Sequence, residues 1–585
     1  MSITLKGHAV APGIAIGRIH LAERNELDIG EYRIGAGDVE NEIKRYRAAV
    51  SAARKQLLEL IERVDSEAGV PTVEIIQSHV LMLGDSKIGK STEEHIRSEL
   101  CNAEWALQSR LEQVLSEFRS MDDDYIRTRG EDVTQVVRLI QGKLSDEAAT
   151  QPFENFPDRL ADTLVIAMEL TPAELAILHE RGVAGIVTEH GGPHSHTAIL
   201  ASSLGIPAVL GVQGARSLLK EDSTLIVDGG RGLVFSDPDA ATLERYRNIQ
   251  LEALRFQKGL KSLRHRTAES LDHITVSLQA NAERSGELDQ ALEVGAETIG
   301  LYRTEFLYLQ GVLPDEETQL ARYRSALKIL KGKTLTIRTL DLGADKTNDS
   351  LDFSDPRRSA NPALGLRAVR LCLRDTTHFK TQLRAIRRAS HDGAVRCLIP
   401  MVTSVLEIRR VRALLEEAKN ELDARKQPYD PDMPLGAMIE VPAAAMAILD
   451  LGRHLDFISV GTNDLLQYAL AADRGDEQVA HLYDLQHPGV IRLLRYILKG
   501  ADKLGIPASV CGEVAGDPRY TRLLLALGLR EFSMHPARLP EVKQVVRQTN
   551  VGLARTAVKQ WLNDPEEQEN QSLLELLDES QRGKS

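Results

Sequence analysis

The chain has 585 residues, 42% of them hydrophobic, and a formal net charge of −13 at pH 7. That length corresponds to about four domains of ordinary size. The negative charge argues against a broad nucleic-acid-binding surface, and no apolar run reaches the roughly 18 residues of a membrane span. The first residues match a secretory signal poorly. We therefore expect a multidomain cytoplasmic protein that neither binds nucleic acid nor inserts into a membrane.

The N-terminal part of the sequence contains two patterns of apolar residues, one typical of strands and one typical of helices. Residues 1–25 place glycine and proline among apolar residues, which indicates short strands that must join a sheet elsewhere. From Asp38 to residue 64, apolar residues recur at 4-3 spacing and predict a long helix. A second run, Ile96 to Phe118, and a third, Ile126 to Ile140, predict two more helices. Residues 26–147 are thus predicted to form an all-α helical bundle.

Residues 148–240 have an α/β texture and are predicted to complete one α/β domain with residues 1–25. Inside this segment a strand runs into a Gly191-Gly192 turn that opens an apolar helix and places His196 at its start. Glycines let the backbone approach a ligand, and the N–H groups of a helix start favour an anion. An ordinary strand-turn-helix with chance histidines at 190, 194 and 196 is an equal alternative from this stretch alone.

A helical linker is predicted at 241–265, and residues 266–550 read as a (β/α)₈ barrel. Its eight apolar strands are predicted at 275–281, 298–303, 334–340, 397–402, 435–441, 457–462, 508–512 and 531–534. The acidic tail, 551–585, is expected to be either mobile or a short appended helix. The fold class is therefore multidomain α/β, with an inserted helical bundle and a C-terminal (β/α)₈ barrel.

Polar residues stand where the chemistry of such a barrel is placed, at the C-terminal ends of the strands. They are Asn281, Arg303, Arg338, Glu440, Asn463, Asp464 and Cys511. Converging arginines need an anion between them, and paired carboxylates beside it are typical Mg²⁺ ligands. Singly, each charge is more often part of a surface salt bridge, but their joint placement favours a site. Cys511 is either an inert buried thiol or a proton donor.

Six segments also carry a resemblance to a known family. They are Gly191-Gly-Pro-His-Ser-His196-Thr-Ala-Ile, Gly300-Leu-Tyr-Arg303-Thr-Glu-Phe-Leu, Ile337-Arg338-Thr-Leu-Asp-Leu-Gly-Ala-Asp-Lys346, Met438-Ile-Glu440-Val-Pro-Ala-Ala-Ala, Gly461-Thr-Asn463-Asp464-Leu-Leu-Gln-Tyr and Cys511-Gly-Glu-Val-Ala-Gly-Asp. Over nearly its whole length the chain resembles Enzyme I of the bacterial phosphoenolpyruvate:sugar phosphotransferase system. The resemblance implies transfer of a phosphoryl group from phosphoenolpyruvate to the enzyme and then to the phosphocarrier HPr, the first step of sugar uptake.

The resemblance also implies roles for individual residues. His196 would be phosphorylated on Nε2, Cys511 would protonate the enolate of pyruvate, and Glu440 with Asp464 would hold Mg²⁺. The residues implied to bind phosphoenolpyruvate are Arg303, Arg338, Asn463, Asp464 and Arg474, with Lys346 and Arg367 as helpers. The α/β domain would carry the phosphohistidine, the bundle at 26–147 would dock HPr, and the barrel would form a homodimer. The linker would be the hinge that carries His196 between its two docking sites.

Two departures from the family pattern keep alternatives open. His194 stands where the family has a small hydroxyl residue, and Ser202 stands where the motif usually ends in arginine. A nitrogen-branch Enzyme I paralogue, with its own carrier in place of HPr, and a catalytically impaired sensor of phosphoenolpyruvate are therefore alternatives. Pyruvate phosphate dikinase and phosphoenolpyruvate synthase need an ATP-binding domain. The first 150 residues instead predict a bundle without a Gly-rich phosphate loop.

Overall fold

The computed structural model describes residues 3–22, 30–64, 79–80, 82–83, 89–119, 124–144, 159–192, 195–308, 313–342, 361–473, 476 and 478–582. The chain divides into two compact units, Met1–Phe256 and Gln257–Ser585. The finer domain bounds given above stay predictions.

The first unit is built on one eight-stranded sheet. Its strands are β1 (Ile3–Lys6), β2 (His8–Ala11), β3 (Ile14–Leu21), β4 (Thr163–Ala167), β5 (Gly185–Thr188), β6 (Ala208–Leu210), β7 (Thr224–Asp228) and β8 (Leu233–Ser236), in the order β1-β8-β7-β3-β4-β5-β6-β2. β3 pairs in parallel with β4 and antiparallel with β7. The N-terminal strands therefore complete the later α/β sheet, as predicted.

A helical segment stands in the chain between β3 and β4. Its helices are α1 (Val39–Val64), α2 (Gly89–Glu99), α3 (Ala103–Arg119) and α4 (Asp124–Leu144). They pack around a shared apolar cluster that includes Ile43, Tyr46, Ile96, Leu107 and Ile140. The predicted stripes of apolar residues are thus core, as expected for amphipathic helices.

The prediction of one helix from Ile96 to Phe118 is wrong, because the chain breaks between α2 and α3. Leu100 has φ +50, in the left-handed region, which interrupts the helical hydrogen bonds. The side chain of Asn102 then donates to the carbonyl of Gly30 at 2.6 Å and accepts from the N–H of Tyr32 at 3.2 Å. The apolar spacing continues across the break, so periodicity alone does not show it.

Four further helices lie among the described residues from β4 to residue 262. They are α5 (Pro172–Glu180), α6 (His196–Ser203), α7 (Ala215–Leu218) and α8 (Ala240–Ser262). α8 occupies the stretch for which a helical linker is predicted, and the division between the two units falls within it.

The second unit contains a closed barrel of eight parallel strands. They are β9 (Ser277–Ala282), β10 (Ile299–Tyr302), β11 (Leu335–Arg338), β12 (Val395–Ile399), β13 (Leu435–Ile439), β14 (Phe457–Val460), β15 (Ala508–Val510) and β16 (Glu531–Met534). Each of the eight predicted strands is present, and the (β/α)₈ prediction is confirmed. The surrounding helices are α9 (Ser285–Val294), α10 (Glu316–Leu330), α11 (Ala368–Arg374), α12 (Thr376–Ala389), α13 (Val405–Ala424), α14 (Pro442–Met446), α15 (Ile448–Leu451), α16 (Thr462–Leu470), α17 (Pro488–Leu504), α18 (Pro518–Leu527) and α19 (Leu539–Arg547).

The C-terminal segment differs from both expectations for the tail, a mobile chain or one short helix. It forms α20 (Val551–Asn563), α21 (Pro565–Asn570) and α22 (Leu573–Arg582). Trp561, Leu573 and Leu577 are buried in the same apolar cluster as the barrel helices. The segment is acidic in overall composition, and this average does not show that its apolar residues recur at helical spacing and form one apolar face. None of the helices in the described part of the chain is long and apolar enough to cross a membrane.

Candidate active site

In its described residues, 188–192 and 195–196, the histidine loop of the first unit has the backbone that its sequence predicts. β5 ends at Thr188, the chain turns through Gly191 at φ +111, and α6 begins at His196. A side chain at Gly191 would be strained at that φ. Ser195 caps α6: its Oγ accepts from the N–H of Ala198 at 3.3 Å and donates to the carbonyl of Gly192 at 2.9 Å. This cap places the backbone of His196 at a helix N-terminus, where anions are stabilised.

In the second unit, the mouth of the barrel holds a buried cluster of ions. Arg338 is the last residue of β11, and its two terminal nitrogens contact Glu305 Oε1 at 2.9 Å and Asp341 Oδ2 at 3.0 Å. Burial opposes the charge of Arg338, but the carboxylates of Glu305, Asp341 and Glu440 outweigh it and raise its pKa. Arg338 is therefore firmly protonated, and its guanidinium is held between two anions.

Arg367 extends this cluster towards Asp464. Its Nη2 lies 2.9 Å from Asp341 Oδ1 and 3.4 Å from Asp464 Oδ2. Burial opposes ionisation of Asp341, yet the adjacent Arg338 and Arg367 lower its pKa. Asp341 is thus an anionic bridge between two arginines. The prediction that Asn463 and Asp464 end a strand is wrong, because both lie in the first turn of α16, past the end of β14 at Val460.

Glu440 follows β13 directly and is only 2% exposed. Met401 donates its N–H to Glu440 Oε1 at 2.5 Å. Burial, and then the negative charges of Asp341 and Asp464, raise the pKa of Glu440. A buried carboxylate crowded by other carboxylates is electrostatically suited to a cation, and an all-oxygen donor set is what Mg²⁺ prefers.

A cleft of about 630 Å³ opens at the same end of the barrel, lined by Arg303, Asn463 and Cys511 among others. The side chain of Arg303 is exposed and forms no ion pair with the described residues. Asn463 forms two hydrogen bonds with Glu513: its Oδ1 accepts from the N–H of Glu513 at 3.0 Å, and its Nδ2 donates to Glu513 Oε1 at 3.1 Å. Arg303 is therefore a cation available to an anion that enters the cleft.

Cys511 lies directly after β15 and is 4% exposed. Its thiol donates to the carbonyl of Val460 at 3.6 Å. Burial and the charge of Glu440 raise the pKa of Cys511 to about 11, against the opposite effects of Ser459 and two arginines. The thiol therefore keeps its proton at neutral pH, as a proton donor at the cleft must.

The chain matches characterised protein families along most of its length. The model of the N-terminal region of PEP-utilising enzymes matches residues 6–129, that of their mobile domain 160–232, and that of their PEP-binding domain 257–551. The phosphoenolpyruvate-protein phosphotransferase of Cupriavidus necator is 42% identical over 578 residues, 97% of this chain and 98% of the relative. The chain belongs to the phosphoenolpyruvate-protein phosphotransferase family.

Other members of this phosphotransferase family match it almost end to end. The enzyme named phosphoenolpyruvate-protein phosphotransferase in Listeria innocua is 35% identical over 576 residues, 98% of this chain and 99% of the relative. The one in Bacillus subtilis is 36% identical over 531 residues, 91% and 92% of the two chains. The resemblance to Enzyme I is thereby confirmed, and the chain is an enzyme of this family.

Within the phosphoenolpyruvate-protein phosphotransferase fold, the structure brings most of the predicted site residues to one end of the barrel. Arg303, Asn463 and Cys511 line the cleft, while Arg338, Arg367, Glu440 and Asp464 are linked through the ion cluster. Lys346 and Arg474 lie outside the described residues, as does His194. His196 belongs to the first unit.

Glu305 and Asp341 are not among the site residues predicted from the sequence, although both lie in segments that carry the family resemblance. Glu305 is two residues after Arg303, and Asp341 is three after Arg338. A carboxylate two or three residues after an arginine at the end of a barrel strand indicates an ion pair at the barrel mouth. The spacing does not show which arginine the carboxylate pairs with. Glu305 pairs across strands with Arg338 and not with its sequence neighbour Arg303.

The close approach of two loops at the barrel mouth yields a first prediction, on Gly512→Ala. A Cβ at Gly512 would lie 1.9 Å from Thr462 Oγ1 and 2.9 Å from Asn463 Oδ1. The start of α16 must then move, and a shift of about 1 Å at reacting groups costs on the order of 10²-fold in rate. We expect kcat/KM for phosphoenolpyruvate to fall by about that factor.

The measurement is pyruvate formation in a coupled assay, with Gly286→Ala as control because nothing lies within 4 Å of a Cβ there. Equal activity of Gly512→Ala and Gly286→Ala would contradict the prediction.

Proposed function

We propose that the protein transfers the phosphoryl group of phosphoenolpyruvate to His196 Nε2 and then to a histidine of the phosphocarrier HPr. One observation carries the proposal: an open cleft with the exposed cation of Arg303 and a protonated thiol adjoins a buried cluster of arginines and carboxylates. Phosphoryl transfer is mainly a matter of positioning and of charge stabilisation on the transferring oxygens, which such a site supplies.

The residues have separate tasks in the first transfer. Arg303, Arg338, Asn463 and Arg474 bind phosphoenolpyruvate, and Asp464, Lys346 and Arg367 assist. The P–O bond of phosphoenolpyruvate breaks as the N–P bond to His196 forms, and the enolate of pyruvate leaves. Cys511 gives its thiol proton to the enolate carbon and regains a proton from water. Because His196 and the cleft belong to different units, α8 serves as the hinge.

Glu440 and Asp464 fit a divalent cation, which we propose to be Mg²⁺. Burial, and then the nearby charges of Asp341 and Asp464, raise the pKa of Glu440, and a bound cation would relieve that repulsion. When bound, Mg²⁺ would neutralise charge on phosphoryl oxygens.

The partner and the assembly are part of the same proposal, which the family membership supports. HPr, or its nitrogen-branch counterpart, docks on the helices α1 to α4, and the barrel forms a homodimer. The protein acts in the cytoplasm at the start of sugar uptake. Presenting both carriers to the phosphorylated enzyme decides the acceptor: the physiological carrier removes the label at least about 10-fold faster than its counterpart does.

The function is tested with phosphoenolpyruvate that carries a labelled phosphoryl group. We expect one acid-labile, alkali-stable label per chain in the presence of Mg²⁺, with an equal amount of pyruvate, and loss of that label when a carrier is added. A protein that binds phosphoenolpyruvate but acquires no label would be a sensor, and the proposal would fail.

Loss of the Cys511 thiol is expected to slow protonation of the enolate without preventing phosphoryl transfer to His196. Cys511→Ala removes the proton donor, so pyruvate formation should slow by about 10²- to 10⁴-fold. The label should still reach His196, because phosphoryl transfer precedes protonation. In the wild type the same step should be lost only as pH rises towards about 11, where the thiol ionises.

Pyruvate and label are measured on the same quenched samples. The control is Cys397→Ala, which removes another buried thiol outside the cleft. Unchanged pyruvate formation by Cys511→Ala would exclude Cys511 as the donor.

A further inference from the structure

Glu305 holds a position in the site that none of the assigned roles explains. Its carboxylate is buried beyond the end of β10, and Oε1 accepts from Arg338 Nη2 at 2.9 Å and from the N–H of Asp341 at 3.0 Å. One carboxylate oxygen therefore fixes both the guanidinium at the end of β11 and the backbone three residues further on. Neither Glu305 nor Arg338 is among the residues that line the cleft, but the charge of Arg338 acts on Cys511, which does line it. The effect of Glu305 on the cleft therefore passes through Arg338.

A buried hydrogen-bond network strengthens this connection between β10 and β11. Thr304 donates its hydroxyl to the carbonyl of Arg338 at 2.9 Å, and Gln382 donates to that hydroxyl at 3.2 Å. Gln382 Oε1 also accepts from the N–H of Leu340 at 3.0 Å. Thr304 is 0% exposed and Gln382 1%. The backbone around Arg338 is thus locked by donors and acceptors that water does not replace.

One of the three guanidinium nitrogens of Arg338 is left without an acceptor among the described residues. Glu305 takes Nη2 and Asp341 takes Nη1, whereas Nε is buried and has no hydrogen-bond partner among the described residues. The two carboxylates hold both terminal nitrogens and therefore fix the orientation of the Arg338 guanidinium.

The two carboxylates are not equivalent. Asp341 is shared with Arg367, whose Nη2 lies 2.9 Å from its Oδ1. Among the described residues, Glu305 makes its ion pair with Arg338 alone. Of the charges that raise the pKa of Arg338 against its burial, that of Glu305 also has the largest effect. Removal of its charge leaves Arg338 to compete with Arg367 for Asp341.

We propose that Glu305 is a positioning residue that orients the guanidinium of Arg338 towards the oxygens of the phosphoryl donor. This inference rests on the proposed role of Arg338 in binding phosphoenolpyruvate. A guanidinium fork that is already oriented loses less freedom when the substrate binds, which lowers KM and places charge where it develops in the transition state.

The test is a double-mutant cycle between Glu305→Gln and Arg338→Lys. The glutamine side chain keeps the shape of the glutamate but not its charge, and lysine keeps the charge of Arg338 but not its fork. We expect Glu305→Gln alone to raise KM for phosphoenolpyruvate at least about 10-fold and to lower kcat/KM by about 10²-fold. In the Arg338→Lys background the same change should lower kcat/KM less than about 3-fold, because there is no fork left to orient.

Each outcome has a distinct meaning. Unchanged kinetics in Arg338→Lys would overturn the role of Arg338 itself. An impaired Arg338→Lys with an unimpaired Glu305→Gln, or with the same loss from Glu305→Gln in both backgrounds, would overturn only the positioning role. Glu317→Gln is the matched control, since Glu317 also pairs with an arginine, Arg388, but on an outer face and 70% exposed. It should keep wild-type kinetics.

Discussion

His196→Ala is expected to abolish labelling by phosphoenolpyruvate completely. The phosphoryl group needs an imidazole nitrogen as nucleophile, and alanine offers none. The loop itself should survive, since its cap is made by Ser195 and the N–H of Ala198. The measurement is acid-labile label per chain after a fixed time, alongside the melting temperature to show that the fold is retained.

Two neighbouring histidines serve as controls. His190→Ala removes an imidazole from the same loop and should be labelled like the wild type. His194→Ala tests whether a second imidazole competes for the phosphoryl group, and we expect it to be labelled as well. Label that survives in His196→Ala but is absent from His194→Ala would move the nucleophile to His194.

Arg338→Ala is expected to cause the largest loss among the barrel residues. The substitution removes a positive charge that stabilises the phosphoryl group during its transfer. Loss of an arginine from such a site lowers the rate by about 10³- to 10⁵-fold. The substitution also leaves Glu305 and Asp341 without their shared partner, and breaking a buried ion pair on one side costs about 3–5 kcal/mol. Both kcat/KM and thermal stability should therefore fall.

Pyruvate formation and calorimetric unfolding measure the two effects separately. Arg412→Ala is a control on the same barrel, because that guanidinium is 44% exposed and, among the described residues, contacts Asp456 and the carbonyl of His454. Its kinetics should not change. Retention of more than about a tenth of wild-type kcat/KM by Arg338→Ala would contradict the role assigned to it.

Part of the candidate site was visible from sequence because barrel chemistry lies at strand ends. Arg303, Arg338, Glu440 and Cys511 each end or directly follow a strand. Asp464 was placed correctly in the mouth but on the wrong element, since a helix begins almost immediately after β14. Strand ends are therefore a usable guide to the mouth of a barrel, but not to the element that carries each side chain.

The sequence by itself determined the barrel, the bundle helices, the α/β sheet and the motifs of the family. These features repeat locally, with periods of about two residues in strands and between three and four in helices, so a linear pattern contains them. The break at Leu100 and the packing of the C-terminal helices were not predicted. An apolar repeat reveals neither a single residue in the left-handed conformation nor the partner against which an apolar helix face packs.

Only the tertiary structure decided which charges meet. Arg338 pairs with Glu305, which lies beyond the end of the preceding strand of the barrel, and Arg367 joins Asp464 and Asp341 across 97 and 26 residues of chain. The pKa of Glu440 and that of Cys511 depend on the same packing, since desolvation and neighbouring charges shift them. Such couplings act over a few ångströms in space, a distance that residue order along the chain does not encode.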